Sequence, residues 1–183
     1  MTTIRSASAA DAAAVAAIYG HHVLHGLGTF EEVPPSEAEI AGRIAAVLER
    51  GLPYLVAVDD AGAVIGFAYA APFRPRAAYR YTVEDSVYID PARLGRGLGK
   101  ALVAGVIAAC EALGLRQMVA VIGDSGNAGS IGLHRSLGFE HQGVGRSFCF
   151  KHVRWDDIVW MQRALNAGDA AQPDAQGLDL GGA

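Results

Sequence analysis

Apolar residues recur along this chain in two rhythms. Leu102, Val103, Val106, Ile107, Cys110 and Leu113 return every three or four positions, as on one face of a helix, and Ala14, Val15, Ile18 and Val23 do the same near the start. Ile40, Ile44, Val47 and Leu48 form a third such stripe after Ser36, with Glu39 placed to close a capping box. Elsewhere short β-branched and aromatic runs stand between turn signals. They predict strands over residues 2–5, 53–58, 63–71, 81–89, 116–122, 139–150 and 157–163. Asp59-Asp60-Ala61-Gly62 reads as a hairpin turn, and a short helix from Asn127 to Leu137 stops at Gly138. The order β-α-α-β-β-β-α-β-α-β-β implies an α/β (α+β) domain. Its sheet is mixed and mostly antiparallel, with one parallel pairing across the central helix and helices on both faces.

Composition narrows the setting. At 183 residues the chain suits one domain, placed at 1–165. Residues 166–183, rich in Gly, Asp, Ala and Gln, read as a disordered tail. Apolar residues make up 51%, but no run reaches the roughly 18 residues that span a bilayer. The N-terminal segment lacks a basic stretch followed by an apolar core, so it does not read as a signal peptide. Two cysteines, Cys110 and Cys149, give no disulfide framework and point to a reducing cytoplasmic setting. A net charge of −4 argues against nucleic acid as partner. His21, His22 and His25 cluster without an accompanying acidic or thiol ligand pattern, so no metal is expected.

The most specific stretch is Tyr81 to Gly114, read as strand, glycine-rich turn and helix. Gly95, Gly97 and Gly99 enter the helix with Arg93, Arg96 and Lys100 around them. Backbone N–H groups at the positive end of a helix dipole suit a phosphate. A Walker A loop would need Gly at 94 and Ser or Thr at 101, where Leu94 and Ala101 stand. A dinucleotide fingerprint would need Gly at 100, where Lys100 stands. The G-R-G-L-G-K run after a glutamate-bearing strand is similar to the coenzyme A loop of the GNAT N-acetyltransferase superfamily.

Four segments in order sharpen this: FRPRAAYRYTVEDSVYI, the GRGLG loop, the set Asn127, Ser130, Leu133, His134, Gly138 and Phe139, and FKHVRWDDIVW. Together they resemble the phosphinothricin N-acetyltransferase family, which includes methionine sulfoximine and methionine sulfone acetyltransferases. The resemblance spans about residues 3 to 164. It implies the GNAT acyl-CoA N-acyltransferase fold, acetyl-CoA as donor, a small amino-acid-like acceptor and a homodimer, with the hairpin around Phe148, Phe150 and Trp155 as one contact surface.

Read onto this chain, the resemblance sets the backbone of Val87, Tyr88 and Ile89 against pantetheine. Arg93, Gly95, Arg96, Gly97, Leu98, Gly99 and Lys100 would take the pyrophosphate, and Asn127 and Ser130 the far side of the cofactor. Phe30, Arg74, Arg76, Tyr79, Ser86, Glu84 and His134 would surround the acceptor. An ammonium acceptor must lose a proton before attacking a thioester. Glu84 is the main candidate base and His134 the second, its ordinary pKa lying near neutrality. Arg74 and Arg76, two apart, would share one side of an extended segment and anchor a carboxylate or phosphinate. The chain departs from the family pattern at Leu94, Arg135 and Cys149. The competing functions are acetylation of a polyamine or a protein N-terminus, and a non-catalytic acyl-CoA sensor.

Overall fold

The computed structural model describes residues 2–180. Seven strands form one sheet: β1 (Thr3–Ser6), β2 (Tyr54–Val58), β3 (Val64–Pro72), β4 (Thr82–Ile89), β5 (Gln117–Gly123), β6 (Glu140–Lys151) and β7 (Arg154–Ala164). Four helices, α1 (Ala12–His25), α2 (Glu37–Glu49), α3 (Leu98–Ala112) and α4 (Ala128–Ser136), complete the expected order. The strands run β1-β2-β3-β4-β5-β7-β6 across the sheet. Among the described strands only β4 and β5 pair in parallel, with α3 as the crossover between them.

Alternation along the strands builds a core on each face. Phe67, Val56 and Tyr54 face α1 and α2 beside Val15, Ile18, Ile40 and Ile44. Ala68, Val83, Met118 and Ala120 face the α3 side, beside Leu102, Val103 and Val106. The Ser36–Glu39 capping box opens α2 as the spacing predicts, Ser36 Oγ accepting from Glu39 N–H at 3.2 Å.

Two boundaries differ from the sequence reading. The last strand begins at Arg154 rather than Asp157, because β6 and β7 join through the tight turn His152-Val153. Both turn residues have positive φ, 50° and 60°, a conformation that favours Gly or Asn, so the sequence carried no turn signal there. Nor does disorder describe residues 166–180. Tyr81 Oη donates to Ala175 O at 2.8 Å, Leu178 N–H donates to Arg80 O at 2.8 Å, and the buried Arg116 donates to Gln172 O at 2.8 Å. A segment poor in apolar residues is held instead by backbone carbonyls and by Leu178, which packs against the core. Residues 181–183 of that expected tail lie outside the described residues.

Candidate active site

The parallel pairing of β4 and β5 runs only from Thr82↔Gln117 to Asp85↔Ala120. Beyond that register Ser86–Ile89 stays paired with β3, while Val121–Gly123 stays paired with β7. The two strands therefore part, and a cleft of about 800 Å³ opens at the gap, lined by Ser86, Val87, Tyr88 and Ile89 on one side and Val121 to Gly123 on the other. Its remaining walls are residues 93–100, the first turns of α4 and the α1–α2 loop at Gly26, Leu27 and Gly28.

The glycine loop behaves as its composition predicts. Gly95 and Gly97 have φ of 75° and 74°, and a Cβ on either would point into open space. Gly97 is the N-cap of α3, whose first intrahelical bond runs from Ala101 N–H to Gly97 O, so the N–H groups of the first turn are left for other partners. At Gly99 the need is different: a Cβ would come within 2.6 Å of Leu133 Cδ1, so this glycine lets α3 and α4 pack closely. Arg96 and Lys100 line the cleft and make no ion pair among the described residues. Arg93 also lines the cleft, but its guanidinium lies 3.0 Å from Asp59 Oδ2, so Arg96 and Lys100 are the lining cations of this loop without an ion pair among the described residues. Leu94, 61% exposed, contributes only an apolar rim. An open, dipole-facing cradle beside two free cations fits a coenzyme A pyrophosphate.

Asn127 and Ser130 also line this cleft, but both are bound into α4. Asn127 Oδ1 caps the helix by accepting from Ser130 N–H at 3.1 Å, and Ser130 Oγ lies 3.3 Å from His134 Nδ1. The pair that the resemblance sets against the cofactor is therefore also a capping pair.

Strand alternation separates the two candidate bases. Glu84 pairs across β3 with Ala71, and its side chain faces the α1–α2 side of the sheet. It lines a second cavity of about 330 Å³ with Phe30, Phe73, Arg74, Val121, Phe148 and Trp160. Val121 lines both cavities, so the two adjoin. Burial, reinforced by the charge of Asp85, raises the Glu84 pKa above the ordinary glutamate value, and the Arg74 charge opposes that rise.

His134 lies on the other face and is buried. Its Nδ1 donates to Ser130 O at 2.8 Å, and its Nε2 lies 3.1 Å from Asp85 Oδ2. Burial alone would lower its pKa, but the hydrogen bond and charge of Asp85, with Ser130 O, raise it. Both ring nitrogens are thus engaged by Ser130 and Asp85. The geometry makes it a tie between β4 and α4, in place of the second base expected from its type.

The two-apart arginines also diverge. The chain bends at residues 75 and 76, just before a 3-10 turn at Ala77–Tyr79, so the segment is not a regular strand. Arg74 reaches the Glu84 cavity, with its guanidinium 5.0 Å from the Phe73 ring centroid, while Arg76 is exposed and lines no part of it. Tyr79 stands behind Phe73 in a neighbouring hollow with Thr82 and Gln117. Ser86 is opposite Tyr69 and borders the larger cleft. Six walls of the smaller cavity were not read as site residues in the sequence: Phe73, Val121, Phe148, Cys149, Ile158 and Trp160. Val121 and Trp160 face each other across the β5–β7 pairing, a register that local patterns do not reveal. Phe73 adjoins Arg74 and could have been read with it.

Residues 22–139 match the model of the acetyltransferase (GNAT) family. The chain belongs to that family. It is 52% identical over 172 residues to a phosphinothricin N-acetyltransferase of Alcaligenes faecalis, covering 94% of this chain and 87% of that protein. It is 42% identical over 164 residues to an L-methionine sulfoximine/L-methionine sulfone acetyltransferase of Pseudomonas paraeruginosa, covering 90% and 95%. The crystal structure of a GNAT superfamily phosphinothricin acetyltransferase from Sinorhizobium meliloti, in complex with AcCoA, superposes with a TM-score of 0.92 at 50% identity, covering 96% and 95% of the two chains. GNAT enzymes use acetyl-CoA as donor, which agrees with the cradle and cleft of this acetyltransferase. Among the described residues no group of three His, Cys, Asp or Glu could hold a metal ion, and no helix is long and apolar enough to cross a membrane.

Proposed function

We propose that this GNAT enzyme acetylates the amino group of a small amino acid or analogue of the phosphinothricin, methionine sulfoximine or methionine sulfone kind. The observation that carries the reading is the adjoining of the two cavities, with Glu84 and Arg74 in the smaller one. Aromatic walls from Phe30, Phe73 and Trp160 limit the acceptor to a compact molecule. Arg74 offers a charge-assisted hydrogen bond to a carboxylate or a phosphinate.

Acetyl-CoA supplies an acyl group whose thiolate can leave. Glu84, held above its usual pKa, takes a proton from the acceptor ammonium, directly or through one water, and frees the amine for attack. A β4 backbone N–H near Tyr88 steadies the charge that develops on the carbonyl oxygen. A polyamine would bring positive charge against Arg74, which disfavours it. The two cysteines, both free, suit a reducing cytoplasmic setting.

A coenzyme A release assay over amino acids, their analogues, polyamines and peptide N-termini tests the reading. Preference for a polyamine or a peptide over every amino acid would refute it. Within the pocket the two arginines should now differ. Arg74→Ala is expected to lower acceptor kcat/KM roughly ten- to a hundredfold, the loss of one charge-assisted bond of about 1.5–3 kcal/mol. Arg76→Ala should leave it within about twofold. Equal losses at both positions would place the acceptor elsewhere.

The β6–β7 hairpin supports a homodimer. Phe150 and Trp155, 53% and 65% exposed, have ring centroids 5.4 Å apart, and Val153 in the adjoining turn is 90% exposed, an apolar tip that a second copy would cover, whereas Phe148 lines the smaller cavity. Sedimentation at micromolar concentration should give a dimer that Phe150→Glu/Trp155→Glu converts to monomer. A parent protein that sediments as a monomer contradicts the assignment.

A further inference from the structure

Lys151 ends β6, beside the turn that leads into β7, and it is only 3% exposed. Its Nζ donates to Gly26 O at 3.0 Å and to Thr29 O at 2.8 Å. Among the described residues no carboxylate lies within ion-pair distance of it. Burial pulls its pKa below the ordinary lysine value, against the more distant charges of Glu32, Asp156 and Glu31. A buried ammonium held on neutral carbonyls is a poor way to stabilise a fold, since an apolar side chain of similar volume commonly serves as well or better. What the arrangement does supply is a fixed position for two carbonyls three residues apart.

Those carbonyls bracket the segment that joins the two cavities. Gly26, Leu27 and Gly28 wall the donor cleft, and Phe30 walls the acceptor cavity. Between them the loop crosses the end of β5 so closely that a Cβ on Gly123 would lie 2.0 Å from Leu27 O. Tyr88 Oη donates to Gly28 O at 3.3 Å, and the Tyr19 and Thr29 hydroxyls share a bond of 2.7 Å. The sheet and α1 thus hold the loop from one side. From the hairpin side Lys151 holds both ends of the crossing.

We propose that Lys151 is a positioning residue for acceptor recognition: by holding Gly26 O and Thr29 O it fixes the loop that presents Phe30 to the acceptor. This rests on the assignment of the smaller cavity to the acceptor. The donor side depends on it less, because the glycine loop, β4 and α4 form most of that cleft without touching Lys151.

Lys151→Met keeps the length of the side chain and removes its donors. Steady-state kinetics with methionine sulfone should show acceptor kcat/KM reduced at least tenfold, mainly through KM, while the calorimetric Kd for acetyl-CoA rises less than threefold. Hydrogen exchange of residues 26–30 should accelerate at least tenfold in the same variant. Lys151→Arg, which retains donors, should recover most of both losses. Acceptor kcat/KM within twofold of the parent, or donor and acceptor affinities falling equally, would overturn the proposal. If Lys151→Met does not fold, Lys151→Arg and Lys151→Gln decide it. Loop exchange slowest in the parent, faster in Lys151→Arg and fastest in Lys151→Gln supports the proposal, and no difference among the three overturns it. The exchange measurement also separates the two failures. A parent that acetylates no amino acid defeats the acceptor assignment, whereas unaltered loop exchange in the variants defeats the role of Lys151.

Discussion

Glu84→Gln should lower kcat by about a hundredfold or more at pH 7, the usual scale for removing a positioned base. Acceptor KM and acetyl-CoA affinity should change little, because the amide keeps the shape of the carboxylate. The pH dependence carries the sign. Glu84 acts when deprotonated, and burial with the nearby Asp85 raises its pKa, so parental kcat/KM should rise with pH through a value above the ordinary glutamate range. Arg74 opposes that rise, so Arg74→Ala should move the same limb to still higher pH. Glu84→Gln should lack the limb altogether and approach the parent at high pH, where free amine is abundant. Stability provides the cross-check. A carboxylate whose folded pKa is raised favours the folded state most at low pH, and that contribution is lost as pH rises through the folded value. At neutral pH the substitution should therefore leave Tm no lower than the parent's. A kcat within threefold of the parent at pH 7 would remove Glu84 from the role of base.

Gly97→Val should weaken acetyl-CoA binding by about a hundredfold or more. Two effects add. Gly97 holds φ of 74° at the N-cap of α3, a left-handed conformation costing other residues about 1–2 kcal/mol and β-branched ones more. The added side chain would also project into open space within the cleft, where a pyrophosphate would approach the N–H groups. No neighbour lies within 4 Å of that Cβ, so the fold itself should tolerate the change, apart from local backbone strain. Titration calorimetry reads the loss directly, with Gly97→Ala expected to fall between variant and parent. Unchanged affinity in Gly97→Val would remove the pyrophosphate from this loop.

The sequence made some of this legible and hid the rest for identifiable reasons. The phosphate cradle could be read because its requirements are local: glycines with positive φ, then a helix, within a dozen residues. The Ser36 cap could be read for the same reason. The acceptor cavity could be read only in part. Glu84 and Phe30 belong to it, but Trp160 enters through its pairing with Val121, nearly forty residues away in sequence. Arg76 was expected beside Arg74 because an extended segment was assumed, but the chain bends at residues 75 and 76 and only Arg74 lines the cavity. His134 carried the right chemistry for a base, but its contact with Asp85, forty-nine residues earlier, is a tertiary fact. Lys151 stands in the FKHVRWDDIVW segment, but its role could not be read there, since its partners are carbonyls of a loop more than a hundred residues earlier.

The position of β7 between β5 and β6 bears on how this enzyme is made. Among the described strands it is synthesised last, yet it lies between β5 and β6. A nascent chain that has reached only the His152-Val153 turn carries β5 with one edge uncovered and β6 with no partner. Exposed strand edges of this kind are templates for pairing with other chains. The arrival of β7 therefore closes both exposed edges at once.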